Sequence, residues 1–100
     1  MIEKLVRDMV PELAPISDEN LRCAKDDREF LSLLRRKLTE EVEEFLQSEC
    51  IEELADVLEV MEALCGVLGS VPSDLVRVKK SKKDRLGGFE RRFVIRINDL

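Results

Sequence analysis

Four carboxylates sit where a helical pattern asks for apolar side chains. They are Glu41, Glu44, Glu53 and Asp56, within the stretch LTEEVEEFLQSECIEELADVLEV from Leu38 to Val60. At about 100° per residue, Glu41 falls inside the arc of Leu34, Leu38 and Phe45, and Glu44 lies at its edge. Glu53 falls among Val57, Val60 and Leu64, with Asp56 at the edge beside Val60 and Val67. The remaining acids of the stretch, such as Glu43, Glu52 and Glu59, turn to the polar side, as does Glu62 beyond it. Each of the two pairs is spaced by three residues, about 4.5 Å along a helix axis and on one face. Partly desolvated, unpaired carboxylates repel at a cost of several kcal/mol, and a divalent cation removes that conflict. Hard oxygen ligands select Mg²⁺, with Mn²⁺ as the alternative, and Mg²⁺ is commonly shared with substrate phosphates. Acidic strings of this kind also line solvated helix faces, so pattern alone leaves both readings open.

The elements that must position these groups are two long helices and a short turn. DDRE has the form of a capping box, with Asp26 as cap and Glu29 three residues on. A first long helix is expected from about Arg28 to Ser48, its apolar stripe formed by Phe30, Leu34, Leu38, Val42 and Phe45. A second is expected from about Ile51 to Leu68. A turn this short makes the helices antiparallel. Counted outward from it, Glu44 meets the level of Glu53, and Glu41 that of Asp56. The apolar arc of the second helix is too wide for one partner helix, which points to burial against a second subunit. Before the hairpin, Pro11 suits the first turn of a short helix capped near Asp8, and Pro15 ends it. Residues 21–24 are briefly extended. After it, Gly69 and Pro72 separate a third helix that runs to about Arg85, and Gly87–Gly88 breaks that helix. FVIRI, Phe93 to Ile97, is a strand candidate packed on the core or paired elsewhere.

Composition narrows the classes. One hundred residues make a single domain, 44% apolar but only 4% aromatic, so the core must be aliphatic and thin. A net charge of −5 argues against binding a nucleic-acid polymer. That charge is divided, with an acidic middle and a basic segment from Arg77 to Arg96, a balance that suits a site for a cation and a polyphosphate. There is no histidine, which removes imidazole bases and His-ligated zinc. Cys23, Cys50 and Cys65 are odd in number and lack CxxC spacing, as expected of reduced thiols in a cytoplasmic protein. No signal peptide and no run of apolar residues long enough to span a membrane is present.

EEVEE followed by EELAD, read as EExxE…ExxD, resembles the MazG-like all-α nucleotide pyrophosphohydrolase superfamily. The nearest branch is the one called phosphoribosyl-ATP pyrophosphohydrolase-like. That branch also opens with KLVRDxxP, here Lys4 to Pro11, and closes with a Lys-rich stretch and GGF, here Gly87 to Phe89. The resemblance implies an all-α fold in which paired antiparallel hairpins form a four-helix core on dimerisation, as a homodimer or a dimer of dimers. It implies hydrolysis of a nucleoside triphosphate between the α and β phosphates. It carries the metal ligands to Glu41, Glu44, Glu53 and Asp56. Glu40 fills a further slot of the motif and would orient water, and either Glu40 or Glu41 would serve as catalytic base. Lys4, Arg7 and Lys82 match basic positions, and with Arg85 they would neutralise the phosphate tail. One departure is Leu86, which stands directly before the glycines where the family often has Arg. Stacking on a base would fall to Phe30, Phe45, Phe89 or Phe93, all four of which are expected in the core. Two alternatives remain: a non-catalytic helical dimer acting as an interaction module, and a phosphoribosyl-ATP hydrolase.

Overall fold

A computed structural model describes residues 2–99 of the chain. Four α-helices follow one another: α1 (Val10–Leu13), α2 (Asp27–Ser48), α3 (Ile51–Val67) and α4 (Pro72–Leu86). Short 3₁₀ turns lie at Asp18–Asn20 and Ile97–Asp99. The described residues form no strand.

The start of α2 follows from its cap. Asp26 is extended, and its side chain accepts the Glu29 backbone N–H at 2.8 Å. The return half of the expected capping box is altered. Glu29 accepts the N–H of Lys25 at 2.9 Å and pairs with Arg22, which also holds Glu3 at 2.9 Å. Arg22 thereby ties the N-terminal segment to the first turn of α2. Its hydrogen bond to Glu29 is the main reason that carboxyl is lowered to about 2. Helix α2 ends at Glu49, which adopts a left-handed conformation (φ 54°), and Cys50 begins the next helix. Two residues cannot carry the chain away from the hairpin, so α2 and α3 pack side by side in opposite directions.

Helix α3 closes with a Schellman turn: Ser70 N–H donates to Cys65 C=O at 2.8 Å and Gly69 N–H to Gly66 C=O at 3.1 Å. Gly69 has φ 78°, which a β-carbon would oppose. Pro72 then opens α4 in its first turn, and α4 packs against α3.

The core is small. Leu34, Val60 and Cys65 are the buried apolar residues among those described, and all four helices leave apolar surface in solvent. The chain measures 54 × 31 × 26 Å with a radius of gyration of 17.4 Å. A compact domain of this length has about 13 Å. Three local expectations change. Helix α1 begins after Met9, next to Asp8, and no side chain caps it. Residues 93–97 pair with nothing and stay exposed, because the described residues offer no second strand to take their N–H and C=O groups. Phe89 and Phe93 are likewise solvent-exposed rather than core, the Phe93 ring being covered on one face by the Arg91 guanidinium at 4.4 Å.

Candidate metal centre

Hairpin geometry brings the acids of the two helices together. One carboxylate oxygen from each of Glu41, Glu53 and Asp56 lies within 4.8 Å of the others. Glu41 on α2 is the anchor. It retains only 7% of its accessible surface, the one buried charged residue among those described. Glu53 and Asp56 face it from the first two turns of α3, both half-buried. The helical phase explains this: a position three residues from its neighbour stays on the same face, and the tight turn matches the levels.

Glu44 is more exposed than the other three and stands outside that trio. Its carboxyl nevertheless interacts with that of Glu41. A proton on Glu44 is favoured first by the neighbouring Glu41 carboxylate as an acceptor, then by the charge of Glu41 and, more weakly, of Glu53, which together push the Glu44 carboxyl up from its ordinary range. The upward shift is the signature of crowded like charge.

Cations from elsewhere in the chain partly compensate the cluster. Arg7 donates to Asp56 Oδ1 at 2.6 Å and approaches Glu59 at 3.8 Å. Lys4 holds Glu40 at 3.1 Å, and this contact chiefly keeps the Glu40 carboxyl below its usual range. Lys37, one turn before the acids on α2, reaches Glu41 Oε1 at 3.3 Å and Glu40 Oε2 at 3.6 Å. Sequence reasoning placed Lys4 and Arg7 near phosphate but did not single out Lys37 or Glu59. The i, i+4 spacing of Lys37 and Glu41 was a legible signal for the former.

Compensation is incomplete at one atom. Glu41 Oε2 is buried and has no hydrogen-bond partner. A buried acceptor without a partner is costly and needs a ligand, water or ion. An oxygen-only donor set with one such orphan fits a hard divalent cation such as Mg²⁺ or Mn²⁺.

Lys82 and Arg85 are not brought to this cluster. Both are exposed on α4, and among the described residues neither forms a hydrogen bond or ion pair. Phe30 and Phe45 are half-buried within α2. An open depression of about 430 Å³ lies elsewhere, at the start of α2 between Glu3, Arg22, Asp26 and Arg36. Its central Arg22 is already neutralised by Glu3 and Glu29, so the acidic cluster is the better candidate site.

Cys23, Cys50 and Cys65 are all free thiols. No described helix is long and apolar enough to cross a membrane. No family model, curated protein or solved structure matches this chain. The likeness to the MazG-like proteins therefore rests on its three sequence segments.

Proposed function

We propose that the protein is a divalent-metal-dependent nucleotide pyrophosphohydrolase, cleaving a nucleoside triphosphate with water to the monophosphate and pyrophosphate. Two observations carry this reading: a carboxylate oxygen of Glu41 lies within 4.8 Å of oxygens of Glu53 and Asp56, and Glu41 Oε2 is buried without a hydrogen-bond partner. The ordered EExxE…ExxD, KLVRDxxP and GGF segments supply the reaction class. Removing non-standard or excess nucleotides from the pool is the role that fits such an activity, and three free thiols suit the cytoplasm.

Mg²⁺ or Mn²⁺ held by Glu41, Glu44, Glu53 and Asp56 would offset the charge that develops on the phosphate oxygens. Glu40 stays ionised through its contacts with Lys4 and Lys37, so it can accept a hydrogen bond from the attacking water and orient it. Lys4 and Arg7 lie beside the acids and supply positive charge for a phosphate tail. Lys82 and Arg85 take the same role once α4 or a second chain's α4 comes near.

A homodimer completes the fold. Ile51, Leu54, Leu58 and Met61 on α3 and Leu68 at its C-cap repeat at intervals of three, four and seven, and all five are exposed. That spacing makes a seam for another helix pair, so a second hairpin packed there gives a four-helix core. The same stripe also supports a second reading, a helical interaction module without turnover.

Incubation with a panel of nucleoside triphosphates and Mg²⁺, with pyrophosphate assayed, separates the two. Turnover is expected, and Glu41→Gln or Asp56→Asn should abolish it while the circular dichroism of the helices is kept. No pyrophosphate from any nucleotide, and no metal-dependent rise in melting temperature, would leave the interaction module.

A further inference from the structure

We infer that Lys37 is a positioning residue of the metal centre: it pins Glu41 through Oε1 and leaves Oε2, the buried oxygen without a partner, free to serve as a ligand. This inference rests on the reading of the cluster as a metal site and adds a residue to it.

Four observations converge on Lys37. Its ammonium lies 3.3 Å from Glu41 Oε1 and 3.6 Å from Glu40 Oε2, so one cation bridges two neighbouring carboxylates. The side chain keeps only 17% of its accessible surface, against 10% for Glu41. Lysine is seldom withdrawn from water to this degree unless it is paired. The order along the helix is also the less favourable one. An isolated helix gains more from Glu placed before Lys at i, i+4 than from Lys before Glu, so helix stabilisation is a poor reason for this pair. Finally, the two oxygens of Glu41 have different fates: Oε1 takes the ammonium, while Oε2 is buried with no partner.

The chemistry follows from that asymmetry. A carboxylate on a flexible glutamate can swing, and a ligand that swings loses affinity for the ion. Fixing one oxygen on the α2 side removes this freedom and leaves the other free for an ion shared with Glu53 and Asp56. Partners of this kind, one bond removed from the ion, set ligand orientation in metal sites generally. Arg7 differs in kind. It comes from the N-terminal segment, is more than half exposed, and binds Asp56 from outside the hairpin.

The sign of one measurement decides the matter. If Lys37 were only a counter-charge, its removal would make the site more negative and tighten binding of a cation. If it positions Glu41, removal weakens binding despite the gain in negative charge. Mn²⁺ binding to the full chain is measured by calorimetry for wild type, Lys37→Met and Lys37→Arg. Lys37→Met should bind Mn²⁺ about 10- to 100-fold more weakly, the usual range for such partners, and Lys37→Arg should recover most of the loss. Equal or tighter binding by Lys37→Met overturns the inference, as does a loss in Lys37→Arg as large as in Lys37→Met. Helical circular dichroism is recorded for each variant. If Lys37→Met does not fold, Lys37→Gln replaces it under the same criteria, and the Lys37→Arg result still decides. A wild-type protein that binds no Mn²⁺, or binds it unchanged in Glu41→Gln, fails at the metal reading itself and takes the inference with it. Wild-type binding that Glu41→Gln abolishes and Lys37→Met leaves intact refutes Lys37 alone.

Discussion

Residues 38–60 and 77–96 are near mirror images in charge. The first holds nine acids and no base, the second nine bases and two acids. Packing treats them in opposite ways. In the hairpin, helix phase and a two-residue turn sort the acids into one buried, three half-buried and the rest solvated, and cations arrive from Lys4, Arg7 and Lys37. On α4 every lysine and arginine faces water, and relief comes from exposed pairs such as Lys80–Asp84 at 3.1 Å and Lys83–Glu90 at 3.6 Å. Charge density alone thus says little. A site arises where a second element fixes like charges against each other and withholds water from them.

The widest test of that contrast is at the exposed α3 seam. Leu58→Glu places a charge in the middle of the proposed subunit contact. It should raise the dimer dissociation constant by at least about thirtyfold, equivalent to about 2 kcal/mol, measured by light scattering over a dilution series. A wild-type chain that is monomeric at every concentration would remove the four-helix core from the proposal. A smaller effect is expected at the helix start. Asp26→Ala removes the side-chain acceptor for the Glu29 N–H and should cost about 1 kcal/mol of unfolding free energy in urea. The arm should respond least. Lys82→Glu with Arg85→Glu should change stability by less than about 0.5 kcal/mol, because both residues are exposed and unpaired among the described residues. The same double variant should raise KM for a triphosphate if α4 supplies phosphate contacts. An unchanged KM would confine the phosphate site to the hairpin and the N-terminal segment.

The helices were legible before any coordinates. The apolar period of 28–48 and 51–68, the Asp26 cap, the Gly69 and Pro72 boundary and the Gly87 stop all correspond to the observed elements within a residue or two. These are local properties, set by backbone preference and side-chain spacing. The inward phase of Glu41 was legible for the same reason. Residues 93–97 were misread because an apolar run shows propensity for a strand but not whether a partner strand exists. Phe89 and Phe93 were misplaced on the same ground, since hydrophobicity alone does not bring a residue to a core.

The sequence by itself determined the helical hairpin, the helix ends and the face on which each acid lies, because those depend on neighbours within one or two turns. Only the tertiary structure decided that Arg7 reaches across to Asp56, that Lys4 reaches Glu40, and that one oxygen of Glu41 is left without a partner. Those facts depend on the distance between segments far apart in the chain and on the water excluded between them. Neither quantity is encoded in any local stretch of residues.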